Sequence, residues 1–332
     1  MNIGDYYFDF GIAFKLWFLI FHMGVIADLI KEAVRKYSKK TFIIQKDLYR
    51  RKEYSYQDIY DHALSICNYF NKSKIKKGDK TLIYLPNSSD YVSILWACAL
   101  SGVIAVPIDF NSAPEFAEKI YKKVNARKIF CSVFKKIENG ECCFFEEMED
   151  IYGGYGHDFS LKEIINEEDV FEIVFTSGTT SDPKGVVLTN ENLYFDIIAM
   201  RKMITFNLKH ESILSLLPLS HLFEQTAGFF CPIEQGVKIV YIQSRKPAFI
   251  IETIGKEKIK SMITVPLFLE TIKKKIESEA EKIGKLDLLN KNLERFSSYP
   301  GFIKKIIFRN IRKNFPNLEY FFVGGAELAP DV

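Results

Sequence analysis

The stretch from Phe175 to Thr189, FTSGTTSDPKGVVLT, combines hydroxyl side chains, glycines and a single lysine. Positions 176–182 hold only Thr, Ser, Gly and Asp, and apolar runs lie on both sides. Glycines let the backbone approach an anion, N–H groups and hydroxyls donate hydrogen bonds to it, and a lysine neutralises its charge. This composition predicts a phosphate-binding loop, with a polar surface loop as the alternative interpretation.

The loop does not follow the two most common nucleotide-binding patterns. Lys184 follows Pro183 and precedes Gly185, whereas a Walker A loop needs Gly-Lys followed by Ser or Thr. The dinucleotide pattern G-x-G-x-x-G does not occur in the chain. A phosphate-binding role would therefore belong to another class of loop.

The elements that would position this loop follow an α/β pattern. Apolar spacing predicts a helix from Tyr56 to Phe70, and Thr81 to Pro86 reads as a buried strand. Asn87 or Ser88 can cap the next helix, Gly102 fits its end, and Val103 to Asp109 is a second strand. A strand, helix and strand within about thirty residues is a βαβ unit, which implies a parallel sheet covered by helices.

The same alternation resumes after the loop. Strands are predicted at 212–218, 237–242, 260–266 and 318–323, with a helix that stops at Gly236 and another from Leu267 to Ile283. The glycine-rich stretch 151–158 is predicted to be a loop between two halves. The predicted divisions are an apolar N-terminal extension (1–23), a first α/β subdomain (24–158) and a second one with the phosphate loop (159–332). The predicted fold class is α/β, with two related parallel-sheet subdomains packed with helices.

Net charge and cysteine spacing argue against two classes of function, nucleic-acid binding and zinc binding. The 332 residues carry 45 Lys and Arg against 42 Asp and Glu, so the net charge of +3 gives no case for nucleic acid. The six cysteines form no C-x-x-C pair and no Cys/His group with zinc spacing. We therefore expect reduced thiols in a cytoplasmic protein.

The N-terminus is apolar from Phe8 to Ile30, but Asp9, Lys15, His22 and Asp28 interrupt it. Its clean run, 16–21, is far shorter than the roughly 20 residues of a spanning helix. Three interpretations stay open: a packed helix, an interfacial helix, or a start codon assigned too early, with Met23 as the true beginning.

The motif TSGTTSDPKG resembles the signature of the adenylate-forming superfamily, with Ser181 where that family usually has Gly. The stretches YSYQDIYDHA, KKGDKTLIYLPNS, GVIAVPID, GVVLTNENL and FVGGAEL are similar to further family landmarks, in the family's order, between about Leu29 and Val332. The stretch PLSHLFE (218–224) resembles the long-chain acyl-CoA synthetase branch. The resemblance implies an acyl-CoA synthetase-like N-terminal domain without the C-terminal lid domain.

The resemblance also implies roles for individual residues. Lys184 and Thr176 would be catalytic, and Thr176 would contact Mg²⁺. Residues near the acyl group would be His221, Phe223 and Gly324. The residues expected to bind ATP are Thr176, Ser177, Gly178, Thr179, Thr180, Lys184, Gly324, Gly325 and Ala326. Each of these residues also has a purely structural interpretation. His221 could cap a helix or pack in the interior, and Phe223 could be a core residue. The Gly-Gly pair could form an ordinary turn.

The implied reaction is the ATP-dependent activation of a fatty acid. The substrate carboxylate would attack the α-phosphorus of ATP, giving an acyl-adenylate and pyrophosphate, and the thiol of coenzyme A would then expel AMP. Positioning and charge stabilisation carry such a step, with no need for a general acid or base. The alternatives are an aryl or short-chain acid, transfer to a carrier protein, and a non-catalytic nucleotide- or acyl-binding module.

The chain departs from the family pattern at its C-terminal side. The family's aromatic-Gly-x-Thr-Glu stretch, its ribose-binding aspartate and its C-terminal lysine are not found in these 332 residues. We therefore expect low or no activity from this chain alone, and a separate C-terminal half is one candidate partner. The stretch Ile303–Phe315 has the pattern of a basic amphipathic helix, which fits a solvated surface or a transient peripheral membrane contact.

Overall fold

The computed structural model describes residues 24–160, 164–175, 183–203, 211–300, 303, 306–313 and 315–327. The chain forms two compact units. The first comprises Met1–Lys40 and Tyr56–Thr205, and the second comprises Thr41–Ser55 and Phe206–Val332. Each unit is built on one six-stranded sheet.

The first unit contains strands and helices in alternation. Its strands are β3 (Lys80–Tyr84), β4 (Ile104–Pro107), β5 (Lys128–Cys131), β6 (Cys142–Phe144), β7 (Val170–Phe175) and β8 (Gly185–Thr189). Its α-helices are α1 (Ile26–Tyr37), α2 (Tyr56–Lys72), α3 (Ser89–Ser101), α4 (Pro114–Lys123), α5 (Met148–Gly154) and α6 (Asn190–Met203). Short 3₁₀ turns lie at Val133–Lys135 and Phe145–Glu147.

The second unit contains the remaining elements. Its strands are β1 (Thr41–Lys46), β2 (Arg51–Ser55), β9 (Ser212–Ser215), β10 (Lys238–Ile242), β11 (Ser261–Thr264) and β12 (Tyr320–Val323). Its helices are a π-helix (Glu224–Phe230), α7 (Cys231–Ile233), α8 (Pro247–Lys256), α9 (Pro266–Lys282), α10 (Leu286–Glu294) and α11 (Arg309–Arg312). A 3₁₀ turn covers Phe296–Ser298.

The βαβ unit predicted from the sequence is confirmed as β3, α3 and β4. The two strands are parallel neighbours. The Ser88 hydroxyl caps α3 by accepting a hydrogen bond from the Tyr91 amide at 3.1 Å, and Gly102 closes the helix in the left-handed conformation at φ 69°. Every residue of α3 except Asp90 is buried, so this helix forms the centre of the first unit's core.

The first sheet has the order β6-β5-β3-β4-β7-β8. All its pairings are parallel except that of β7 with β8, which is antiparallel. Because β7 also pairs with β4, the two strands around the predicted phosphate loop extend this sheet. The division between the units after Thr205 therefore differs from the predicted boundary after residue 158.

The predicted loop at 151–158 is wrong for its first four residues. Helix α5 runs to Gly154, and the side chains of Met148 and Ile151 are buried on its inner side. Two buried apolar residues three positions apart hold this short helix in place in spite of its glycines.

The second sheet has the order β12-β11-β9-β10-β1-β2. It is parallel except for β2, which pairs antiparallel with β1 to form a hairpin. The hairpin is also attached by its side chains. The Arg51 guanidinium donates two hydrogen bonds to the Glu257 carboxylate, at 3.0 and 3.2 Å. A paired fork of this kind fixes orientation as well as contact.

Alternation along these strands separates the two faces of the second sheet. On one face, Leu214, Val240 and Met262 pack against Ile250 and Ile254 of α8. On the opposite face, the π-helix covers the sheet: Ile263 lies against Gly228, and the ring of Phe42 stacks on that of Phe229 at 6.2 Å. Crossovers between parallel strands are right-handed. The chain moves one way along the sheet from β9 to β10 and the opposite way from β10 to β11, so the connecting π-helix and α8 lie on opposite faces.

Candidate active site

Two of the predicted site motifs meet at the carboxyl end of β12. A Cβ atom on Gly324 would stand 2.6 Å from the ring of Phe223, so no other residue fits there without a shift of that ring. Gly325 has φ +83°, a conformation that favours glycine. The Gly324 amide also donates to the Thr264 carbonyl at 3.3 Å, which fixes the turn to the end of β11. Ligands of open parallel sheets bind at this edge.

The other motif, Pro218–Glu224, forms the turn that leads into the π-helix. The His221 amide donates to the Pro218 carbonyl at 3.0 Å, and the Gln225 amide donates to the His221 carbonyl at 3.1 Å. The side chain of His221 is exposed and that of Phe223 is half-buried. The exposure of His221 does not fit the packed-histidine alternative, and Phe223 forms one wall of the Gly324 turn.

The π-helix after this turn holds a buried carboxyl group that the sequence analysis missed. Glu224 is fully buried, and a Cβ on Gly228 would lie 2.8 Å from its Cδ and closer still to Oε1. Neither oxygen makes a well-formed hydrogen bond with the described residues. Burial raises the pKa of Glu224 to about 8, against smaller opposing effects of the Ser215 hydroxyl and the Leu217 amide.

A signal for Glu224 did exist in the sequence. It is the acidic residue that opens the stretch EQTAGFF, and a glycine follows it at the fourth position. A glycine inside a helix is costly and often marks a close approach. Single-turn π segments occur frequently at functional sites, where the widened turn redirects side chains.

Only the edges of the predicted phosphate loop can be described. Phe175 pairs with Gly185 across β7 and β8, so the two ends of the loop are neighbours. A Cβ on Gly185 would stand 2.9 Å from both Ile173 and the Phe175 ring, which explains the glycine there. Pro183 is buried and Lys184 is exposed. The other predicted loop residues, Thr176, Ser177, Gly178, Thr179 and Thr180, lie outside the described residues.

The predicted site residues are thus divided between the units. Lys184 belongs to the first, and Phe223, Gly324, Gly325 and Ala326 belong to the second. Within the described ranges, no group of three or more His, Cys, Asp or Glu side chains could hold a metal ion. The predicted Mg²⁺ contact rests on Thr176, outside those ranges. No helix in the described part of the chain is long and apolar enough to cross a membrane.

Comparison with known families agrees with this arrangement of motifs. The family model described as AMP-binding enzyme matches residues 30–332, nearly the whole chain. The chain belongs to the AMP-binding enzyme family. The predicted membership of the adenylate-forming superfamily is thereby confirmed.

Members of this family with different acid substrates are similar to the chain. Long chain acyl-CoA synthetase 3 of Arabidopsis thaliana is 26% identical over 326 residues, with 84% of this chain and 48% of the relative covered. A probable 4-coumarate–CoA ligase of Dictyostelium discoideum is 25% identical over 274 residues, covering 73% of this chain and 49% of that protein. The chain therefore spans about half the length of these relatives.

Solved structures confirm the predicted fold class. A fatty acyl CoA synthetase of Mycobacterium tuberculosis superposes with a TM-score of 0.71 at 16% identity, covering 92% of this chain and 55% of that one. The two helix-packed sheets match the N-terminal domain of acyl-CoA synthetase-like enzymes. At this level of identity the likeness concerns the fold.

Proposed function

We propose that this adenylate-forming family member takes part in the activation of a fatty acid with ATP, as a fatty acid–CoA ligase. The observation that carries the proposal is the contact between Phe223 and Gly324. It joins the PLSHLFE stretch to the turn at Gly324 and Gly325, at the carboxyl edge of a parallel sheet, where ligands of such sheets bind. Phe223 offers an apolar surface to an acyl group there, and the glycine backbone allows close approach of the adenylate.

In this proposal the residues position charge and transfer no proton. The fatty acid is already ionised at neutral pH and needs only to be aligned with the α-phosphorus of ATP. The side chain of Lys184 is exposed, so it can reach a phosphate group. The hydroxyls and amides of the loop from Thr176 to Thr180 would bind the β- and γ-phosphates, whose charge Mg²⁺ would share when bound. Coenzyme A would be the thiol acceptor.

One alternative is favoured by a specific observation. The similarity to a probable 4-coumarate–CoA ligase favours an aryl acid. Transfer of the acyl group to a carrier protein would use the same site, with a different thiol.

The test is the exchange of labelled pyrophosphate into ATP by the purified 332-residue chain. Palmitate, benzoate and acetate are compared as acids. We expect weak exchange, greater with palmitate than with the other two acids. Lys184→Ala should lower it by roughly 10²-fold or more, because one charge that stabilises the transition state is lost.

The matched control is Lys202→Ala, which removes an exposed lysine of α6 in the same unit and should leave exchange unchanged. Exchange with benzoate in preference to palmitate would contradict the fatty-acid proposal. ATP binding without exchange, detected by calorimetry, would contradict adenylation by this chain alone, in favour of a binding module or of an enzyme that needs a separate C-terminal half. If the chain binds no ATP, the phosphate-loop interpretation is wrong.

A further inference from the structure

The face of the second sheet opposite the π-helix carries an apolar groove that the proposed reaction does not use. Its volume is about 450 Å³, within the usual range for small-molecule sites. The side chains that line it come mainly from α8, α9 and α10, with Ile307, Phe308 and Phe315. They include Ile250, Phe268, Ile272, Ile276, Ile283 and Leu289.

The helices around the groove leave their apolar side chains unusually uncovered. In α9 only Pro266 is fully buried, and α10 has no fully buried residue. Leu267, Ile283 and Leu288 are 68%, 66% and 56% exposed. Apolar surface of this extent on a folded chain commonly marks a binding site.

The groove follows one side of α9 for most of that helix. Its lining includes Phe268, Ile272, Ile276, Ala280 and Ile283, which recur every three or four residues. At 1.5 Å per residue, this row is about 22 Å long. Two opposed acyl chains fill a bilayer core of about 30 Å, so one long chain extends for about 15 Å. The groove is therefore long enough for one long hydrocarbon chain.

Charge favours an anion at the Ile283 end of the groove. Lys285 lines the groove at that end, whereas Lys275 lines it about halfway along α9. Glu279, the acidic residue of the lining, forms an ion pair with Lys282 at 2.8 Å and also interacts electrostatically with Lys275. At the opposite end, Phe268 and Phe315 pack on the sheet core, where no charge would be accommodated.

We propose that this groove binds one molecule of free long-chain fatty acid, with its hydrocarbon chain along α9 and its carboxylate near Lys285. The site is separate from the Phe223–Gly324 contact because it lies on the other face of the same sheet. It rests on the proposed function only for the choice of a fatty acid as the natural amphiphile. Its role would be to hold substrate close to the enzyme.

The first test locates a bound fatty acid directly. A palmitate analogue with a photoreactive group near its methyl end is irradiated with the full chain, without ATP, and the labelled peptides are identified by mass spectrometry. We expect label within residues 247–294 or in the peptides that contain Ile307, Phe308 and Phe315. Label confined to residues 212–236 or 318–327 would overturn the proposal, since it would place the chain on the π-helix face alone.

The second test fills the groove. Ala280→Trp should lower labelling of residues 247–294 at least about tenfold, because the indole occupies space that the chain needs. The matched control is Ser278→Trp, which adds the same side chain at an exposed position of α9 outside the lining. Equal labelling of these two variants would contradict the groove as the site. Both changes lie on a helix with little buried surface, so the chain should remain folded.

A third test examines the head group. Lys285→Glu should weaken palmitate labelling about threefold or more, and Lys274→Glu, at an exposed position of α9 outside the lining, should not. Hexadecanol, which has the same chain without a charge, should compete poorly. Sedimentation with phosphatidylserine vesicles but no labelling by palmitate would overturn the proposal in favour of a membrane surface. Because these tests need no ATP, their failure is distinguishable from a failure of pyrophosphate exchange.

Discussion

The two faces of the second sheet are covered in opposite ways. On one face the π-helix packs tightly: Ile263 is fully buried against Gly228, and even the carboxyl group of Glu224 is excluded from water. On the other face α9 leaves its apolar row, including Ile276, only half-buried along a groove. The tight face can hold residues in a fixed geometry, whereas the open face can adapt to a ligand of variable length. One sheet thus supports a rigid candidate site and an adaptable surface.

The largest effect expected from this comparison is on stability when an isoleucine is shortened on each face. Ile263→Ala should cost about 2–5 kcal/mol of unfolding free energy, because a closely packed site cannot collapse around the cavity. Its matched control, Ile276→Ala, should cost less than about 1 kcal/mol, because the side chain is already partly hydrated. Urea unfolding measures both changes. Equal costs would show that the groove face is as tightly packed as the other.

A smaller effect is expected at Gly228. Gly228→Ala should destabilise the chain by about 1–3 kcal/mol, because the new methyl group would overlap the Glu224 carboxyl group. At an unobstructed helical position the same change would stabilise the chain by up to about 1 kcal/mol. The sign of the stability change therefore shows whether Glu224 packs against Gly228. The double variant Gly228→Ala with Glu224→Ala should recover part of the loss. A stabilising single variant would contradict the packing of Glu224 on Gly228.

A further effect concerns pH. The pKa of Glu224 is about 8 in the folded chain against an ordinary value of 4.5, so folding favours its protonated form. Stability should therefore fall as pH rises from about 4.5 to 8, by at most about 1.4 kcal/mol per pH unit from this group, and level off above pH 8. Glu224→Gln mimics the protonated acid and should flatten this slope.

Urea unfolding at pH 6 and pH 8.5 tests the pH prediction. The matched control is Glu281→Gln at the exposed end of α9, which should keep the wild-type difference between the two pH values. If Glu224→Gln also keeps that difference, the carboxyl group is hydrated or paired in solution, and the tight face is less closed than described.

Local signals predicted much of the first unit because its elements are neighbours in sequence. The cap at Ser88, the left-handed Gly102 and the parallel pair β3–β4 all follow from residues within about thirty positions. The unit boundary did not follow, because it depends on β7 pairing with β4 and on β1 pairing with β10. Strand alternation indicates which residues form strands, and it leaves the partner of each strand undetermined.

The candidate site was predicted in the same partial way. The motifs that contain Phe223 and Gly324 were identified from the sequence, but their contact joins residues about a hundred positions apart and depends on the order of the strands. Glu224 was missed because a charged residue ahead of an apolar stretch reads as a helix start exposed to solvent. Its burial depends on the wide turn of the π-helix. The spacing of apolar residues in a π-helix is close to that in an α-helix, so the sequence does not distinguish the two.

The β1–β2 hairpin imposes an order on the synthesis and folding of this protein. Ile43 pairs with Ile239, so the hairpin leaves the ribosome long before the strand beside which it must lie. At about 5–20 residues per second, the delay is roughly 10 to 40 s. During that time β1 has an unpaired edge, and the Arg51 side chain has no Glu257 to bind. A nascent chain of this design depends on keeping that edge from pairing with another chain until the second sheet can close.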